Sequence, residues 1–368
     1  MHTVIIGGGI IGTALAAELG KRDMDVTLLE RDELGGGTTA ASAAVFTWQD
    51  AHPSRFVYGL KEHAWETYRP LVEDGTLSFE RVGALSVAKT TEFADQLREA
   101  AETLRSYGLD ATAINADVLA EYDIRPAAVQ GGLYTPEEGY FDPEEIVAVF
   151  AERAEARGAT IRTEALATDI RTCSDGTDDR VTGVETTDGT LPADAVINAA
   201  GPWAAAVNTM VGIDAPLRHT YGPILVLDAS RAVELPFTLF ESKQYLRPVG
   251  STGAFAGRYE TDYENGETFD LDDPPAVEAA FYEEIDDLLT SAVPPLADAT
   301  VTDEWVGFRT VTPDGLPIVG ETDVKGFFLA CGMCGLGVTL APVIADLLCE
   351  RLVGNSPDTL DRLAPGRF

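Results

Sequence analysis

The sequence predicts an α/β protein in which a helix-covered parallel sheet is assembled from separated stretches of chain, with an antiparallel sheet inserted between them. Three observations lead there. A β-branched run at Thr3–Ile6 passes through glycines into a helical stretch, Ile10–Lys21, and on to a second run, Val26–Leu29, which together make a right-handed βαβ unit. From Leu217 to Phe308 the texture is that of strands, with one acidic helix at Ala276–Ser291. The chain then returns to short apolar runs, Leu316–Val319 and Phe327–Ala330, and closes with a helix from Gly335.

The elements between these landmarks follow the same logic. Helical periodicity covers Phe56–Val72 and Thr91–Tyr107, with a strand at Gly83–Ala88 between them, and Pro143 opens a helix through Arg157. Strands are expected at Thr160–Thr163, Val181–Thr187 and Ala195–Ala199, with a hairpin turn at Asp188-Gly189. In the middle stretch they are expected at Pro223–Leu227, Thr238–Phe240, Tyr245–Pro248 and Ala254–Gly257. The implied division places residues 1–80, 143–215 and 310–368 in the first, discontinuous domain and 81–142 with 216–309 in the inserted α+β domain.

Composition narrows the function. The 61 acidic residues oppose 26 basic ones, a formal charge of −35, and the only lysines are Lys21, Lys61, Lys89, Lys243 and Lys325. Such a surface repels phosphate backbones and anionic lipid, so no nucleic-acid partner is expected. An acidic, lysine-poor surface around a normal apolar core fits a salt-rich cytosol, where screening removes self-repulsion; a halophilic protein is expected, with an acidic mesophile protein as the alternative. Four cysteines, Cys173, Cys331, Cys334 and Cys349, are too few and too unevenly spaced for a disulfide framework, which suggests a reducing compartment. The apolar start is broken by Gly7, Gly8, Gly9 and Gly12 and lacks a basic leader, and Leu336–Val353 carries Asp346, Glu350 and Arg351. A cytoplasmic protein without a membrane span is expected. A homo-oligomer is left open.

Gly7, Gly9 and Gly12 form G-x-G-x-x-G after a strand and at a helix start, where backbone amides can approach a pyrophosphate. Glu30 ends the second strand, where a carboxylate accepts both ribose hydroxyls. The cofactor contacts expected in this Rossmann-like unit are Gly7, Gly9, Ile10, Ile11, Gly12, Glu30 and Arg31. Later segments favour FAD over NAD. Gly35-Gly36-Gly37-Thr38-Thr39-Ala40-Ala41-Ser42-Ala43-Ala44 offers hydroxyls and amides with little bulk for a flat ring and its phosphates. Asn198-Ala199-Ala200-Gly201-Pro202-Trp203 and Gly332-Met333-Cys334-Gly335-Leu336-Gly337 place small residues at two further strand ends.

In this order, the segments resemble the FAD-dependent family of glycine oxidase, sarcosine oxidase and D-amino-acid oxidase, with a pattern most like glycine oxidase. The resemblance spans nearly the whole chain. It implies that Thr38, Thr39, Ala41, Ser42 and Ala43 contact FAD, that Ala199, Ala200, Gly201 and Trp203 line the same ligand, and that Gly332 with Gly335, Leu336, Gly337 and Val338 meets the pyrimidine side of the flavin. A backbone contact to the adenine falls at Leu166 or Ala167. No cysteine stands near Thr312-Pro313-Asp314, where relatives with covalent flavin carry one, so non-covalent FAD is expected. Cys334 stands where the family is often polar. The Cys331-x-x-Cys334 pair has no second Cys or His cluster beside it, so it reads as packing thiols, and no metal is expected.

The stretch Trp305-Val306-Gly307-Phe308-Arg309-Thr310-Val311-Thr312-Pro313-Asp314-Gly315 resembles the family's C-terminal signature. It implies that Gly307 and Arg309 lie beside the flavin and that Arg309 pairs with the substrate carboxylate, for which a planar guanidinium is suited. Gln244-Tyr245-Leu246-Arg247-Pro248 resembles the strand facing the flavin, making Tyr245 a contact to the carboxylate or amine. Arg247 alternates with Tyr245 and shares its face; it either lines the pocket or is buried against a structural carboxylate. His52, His63 and His219 have no catalytic spacing.

The implied reaction is FAD-dependent oxidation of a small glycine-type or D-amino acid to the imino acid by hydride transfer to flavin N5, with oxygen or a quinone or dye as electron acceptor. The alternatives are a flavin dehydrogenase of a secondary amine such as sarcosine or proline, or of a 2-hydroxy acid, and a flavin-binding electron-transfer subunit without a substrate site.

Overall fold

A computed structural model describes residues 1–22, 24–174, 176 and 179–368. Its first sheet has six strands in the order Ile318–Glu321, Phe327–Cys331, Ala195–Asn198, His2–Ile6, Asp25–Leu29 and Thr160–Arg162. All neighbours are parallel except the edge pair formed by Ile318–Glu321 and Phe327–Cys331. Val4, Ile5, Val196, Ile197, Phe327 and Leu329 are fully or almost fully buried, because helices and loops cover both faces of such a sheet. One covering helix, Ile10–Gly20, packs between the helices Pro143–Glu155 and Gly337–Leu352, and every residue but Glu18 is buried. This explains why it shows no amphipathic stripe. Asp142 caps Pro143–Glu155 by accepting hydrogen bonds at 2.9 Å from the Glu144 and Glu145 amides, with Pro143 at the first helical position.

The second large sheet has eight strands, ordered Thr300–Val311, Arg218–Asp228, Gly253–Arg258, Gln244–Val249, Phe237–Phe240, Ala84–Ala88, Gly131–Thr135 and Thr112–Asn115. It is antiparallel apart from the parallel pair Phe237–Phe240 and Ala84–Ala88. The helix Ala279–Ala292 covers one face, its Phe281, Ile285, Leu288 and Leu289 clustering with Leu225, Leu227, Leu246, Ala254 and Ala256. Among the described residues two three-stranded sheets complete the fold. One is the meander Ala167–Ser174, Asp179–Thr186 and Gly189–Pro192, and the other joins Val45–Phe46, Gly139–Tyr140 and Glu80–Arg81.

Two expected helix starts shift. The last helix begins at Gly337 and not Gly335, because Cys334 (φ 50°) and Gly335 (φ 84°) are left-handed and form a turn that a helix cannot include. The acidic helix begins at Ala279 and not Ala276, since Glu278 is still extended. Among the described residues no helix is long and apolar enough to cross a membrane.

Candidate active site

The glycine-rich turn sits where the His2–Ile6 strand meets the Ile10–Gly20 helix. A Cβ on Gly12 would collide with the Gly7 carbonyl oxygen, so the turn closes only with glycine there. Glu30 lies beside it, and its two oxygens accept from the Gly8 amide at 2.7 Å and the Asp32 amide at 2.9 Å. A carboxylate offers about four acceptor sites, so two remain for vicinal hydroxyls. Arg31 stacks on Trp203 at 4.1 Å, and both reach Asp272, at 2.8 Å from Arg31 Nη2 and 3.1 Å from Trp203 Nε1. Ala199 and Ala200 pack against Gly7, and Gly201 takes φ 54°. Ala165 donates to the Glu30 carbonyl at 2.8 Å, which brings Leu166 and Ala167 alongside; Leu166 is exposed and Ala167 buried.

Two of the three expected loop hydroxyls are turned inward. Thr39 Oγ1 accepts from the Ile10 amide at 3.2 Å and so pins the loop to the helix start. Ser42 Oγ donates to the Thr39 carbonyl at 2.7 Å and accepts from the Ala44 amide at 3.2 Å. Thr38 is half-buried beside them.

Register explains the other half of the site. Partners across an antiparallel ladder share a face, as do residues two apart along a strand. Tyr245 pairs with Gly257, Gly257 with Ile224 and Ile224 with Trp305, so Tyr245, Arg247, Phe255, Gly222, Trp305, Gly307 and Arg309 all project opposite the Ala279–Ala292 helix. The small-residue loop docks on that face: Trp305 Nε1 donates to the Ala41 carbonyl at 3.0 Å and Arg247 Nη1 to the Ala43 carbonyl at 3.2 Å. Ala43 and Val45 pack there with Ile224, Phe237, Tyr245 and Tyr259.

Two glycines make room for the polar groups. Arg309 lies over Gly222, where a Cβ would stand 2.6 Å from Nη2 and 2.7 Å from Cζ. The ring of Tyr245 lies over Gly257, where a Cβ would stand 2.6 Å from Cε1. Cys334 donates its amide to the Thr310 carbonyl at 3.0 Å, which holds the last glycine-rich turn against Arg309. Val338, in the first turn of the last helix, is buried, and its carbonyl accepts from Tyr68 Oη at 2.6 Å. Arg309 is half-buried, its Nη1 is fully buried, and no hydrogen-bond partner meets that nitrogen among the described residues. Tyr259 lies 5.3 Å from the guanidinium; burial pushes its phenol up to about 12 while Arg309 pulls the other way. Burial likewise raises Tyr245, against Arg309 and Arg247, so both phenols stay protonated and able to donate.

Tyr259, Gly222 and Gly257 were not singled out by sequence reasoning, and Trp305 entered only as the start of the signature stretch. The two glycines carried a signal, since glycine inside a strand run marks a close approach. Of the two expectations for Arg247, burial against a structural carboxylate is not met: it packs against the rings of Tyr140 at 4.1 Å and Phe255 at 4.0 Å and is bound to a carbonyl, with no carboxylate paired to it among the described residues. Behind the loop, buried Glu138 accepts from the Trp48 and Gln49 amides at 3.0 and 2.6 Å and from Thr135; burial raises its carboxyl to about 7. Buried Lys61 is pushed down by the same cause. Cys331 and Cys334 are buried thiols. His63 pairs with Asp346 at 3.1 Å, and buried His219 lies across the ladder from Thr310, the residue after Arg309, with its ring 3.3 Å from that hydroxyl and on the opposite face from Arg309.

A glycine turn on a helix start, an acid at the next strand end, and a polar face beneath a small-residue loop define a dinucleotide-binding oxidoreductase. Residues 2–351 match the family described as DAO, FAD dependent oxidoreductase, and the chain belongs to that family. FAD is the family's cofactor, and the cradle at Gly7, Gly12 and Glu30 fits it. The chain is 30% identical over 404 residues to human mitochondrial dimethylglycine dehydrogenase, covering 100% of this chain and 44% of that protein. It is 28% identical to glycine oxidase of Geobacillus kaustophilus, covering 98% of this chain and 94% of that one. The chain thus spans under half the length of the dimethylglycine dehydrogenase. Among solved structures, L-proline dehydrogenase from P. horikoshii superposes with TM-score 0.89 at 22% identity, covering 100% and 97% of the two chains. Glycine oxidase from Geobacillus kaustophilus superposes with TM-score 0.87 at 25% identity, covering 100% and 98%.

Proposed function

We propose that this chain oxidises the C–N bond of a small amino acid or a secondary amine bearing a carboxylate, with non-covalently held FAD. The observation that carries the reading is the buried, unpartnered Nη1 of Arg309 on the face that meets the small-residue loop. A buried guanidinium N–H without an acceptor is costly, and a carboxylate supplies the missing acceptor in a bidentate pair. Tyr245 and Tyr259, both protonated, flank it as neutral donors, so the carboxylate is oriented as well as neutralised.

When bound, FAD supplies the hydride acceptor. The protein's task is to hold Cα in place, and fixed orientation of this kind accounts for much of the acceleration in such reactions. No general base is required if the amine enters unprotonated, and the imino product hydrolyses in water. Secondary-amine substrates belong in the proposal because the relatives named for them share the whole of this chain. The division into residues 1–80, 143–215 and 310–368 for FAD and 81–142 with 216–309 for substrate is supported by the strand membership of the two large sheets. A halophilic, cytoplasmic setting is supported by the charge of −35. The testing experiment is turnover with a dye acceptor across glycine, sarcosine, proline, D-amino acids and 2-hydroxy acids. Amino acids or N-methyl amino acids should reduce the dye; reduction by hydroxy acids alone would refute the assignment.

A further inference from the structure

Arg247 is the one arginine buried outright among the described residues, and its Nε has no hydrogen-bond partner there. The rings of Tyr140 and Phe255 both lie against the guanidinium, 4.1 and 4.0 Å from its central carbon, and offer it no hydrogen-bond acceptor in their planes. Nη1 is held by the Ala43 carbonyl. The edge that includes Nε is left, and that edge is the side-on docking edge for a carboxylate. In a chain with 61 acidic residues, no described carboxylate forms an ion pair with Arg247 or with Arg309. Two cationic heads on one sheet face are thus spared by the protein's own acids, and Tyr245 stands between them, its phenol pulled down by both.

We propose that Arg247 is a second carboxylate anchor and that the preferred substrates are amino acids or N-alkyl amino acids with a second acid group. This deepens the reading of Arg309 as the first anchor and rests on it. The register sets the spacing. Arg309 reaches back over Gly222, while Arg247 lies in the Phe255 row, two same-face positions further along the ladder. That is roughly 13 Å along the strands, at about 3.3 Å per residue, and one to two strand spacings of about 4.8 Å across them, so roughly 14–16 Å in all. Allowing about 4 Å from each guanidinium carbon to its carboxylate carbon leaves on the order of 6–8 Å between the two carboxylates, the span of a dicarboxylate of glutamate length or one or two carbons longer. Arg247 then sets specificity, Arg309 orients the reacting carbon, and the two acids of the substrate neutralise charges that the protein leaves open.

The test uses the FAD-loaded protein and the flavin absorbance perturbation produced by glutarate and by its monoacid counterpart butyrate, followed by turnover of glutamate-type against norvaline-type amino acids and their N-methyl forms. Wild type should favour the diacid of each pair by ~10-fold or more, the value of one charge-assisted pair. Arg247→Met should bring that ratio close to one, and Arg247→Lys should restore it only in part, because a point charge lacks the fork. Equal affinity for glutarate and butyrate in wild type would overturn the assignment without needing any variant to fold. So would a loss in Arg247→Met that falls equally on diacid and monoacid, the signature of a residue that only holds Ala43. If monoacids are oxidised and diacids gain nothing, the Arg247 assignment alone falls. If no amino acid of either kind reduces the flavin, the parent reading falls and this one with it.

Discussion

Replacing Gly222 with alanine tests the site without touching a single charged or phenolic group. The added Cβ would stand 2.6 Å from Arg309 Nη2 and 2.7 Å from Cζ, about 1 Å inside ordinary contact. The strand itself tolerates the methyl, because the colliding atoms are the far end of a flexible side chain; the guanidinium must move by about that 1 Å. Misplacement on this scale costs about 100-fold in oriented reactions, so kcat/KM for the carboxylate substrate should fall roughly 100-fold, with FAD content and melting temperature near wild type. Steady-state kinetics with a dye acceptor, paired with flavin absorbance of the purified variant, reads both quantities. Full activity in Gly222→Ala would mean that Arg309 does not anchor substrate from its place over Gly222, and the argument built on that geometry would fail.

Glu30→Ala should weaken FAD binding by ~1.5–3 kcal/mol on titration of the apoprotein, since it removes the acceptor for the ribose hydroxyls, and denaturation of wild type should release free FAD. The pH dependence of stability should carry the mark of Glu138, whose folded value of about 7 lies above the ordinary 4.5. The folded state holds this proton longer than the unfolded one, so its contribution is complete below about pH 4.5 and lost as pH rises towards 7. The difference is worth about 3 kcal/mol, and Glu138→Gln should flatten that part of a denaturant-midpoint profile. Buried Lys61 works in the opposite sense at higher pH, since its lowered value makes stability fall as pH drops from the ordinary 10.5 towards it. Melting temperature should rise with molar KCl, as screening offsets repulsion among the 61 acidic side chains; a flat or falling curve would remove the halophilic explanation.

What could be read from the sequence was what is local along the chain. The glycine turn, Glu30 and the strands on either side depend on neighbours a few residues away, and the structure has them where periodicity and spacing put them. Tyr245 and Arg309 were reached through signature stretches, but their convergence depends on register between strands far apart in the chain, which no local pattern encodes. For the same reason Tyr259, Gly222 and Gly257 stayed unseen: each matters only because of what lies opposite. Thr39 and Ser42 illustrate a different gap, since a hydroxyl in a loop is equally suited to a ligand or to its own backbone, and here both bind backbone. The Ala167–Ser174 strand escaped notice because most of its side chains face solvent, and the acids of the Glu138 and Lys61 neighbourhood gave no hint of burial.

The central claim is that Arg309 holds a substrate carboxylate beside FAD. Anaerobic reduction of the bound flavin should therefore be measured for one amino acid and its amide, in wild type and in Arg309→Met. Wild type should be reduced far faster by the free acid; the variant should keep FAD, lose roughly 3–5 kcal/mol of transition-state binding with the acid, and no longer distinguish acid from amide. Equal discrimination by both proteins would contradict the account.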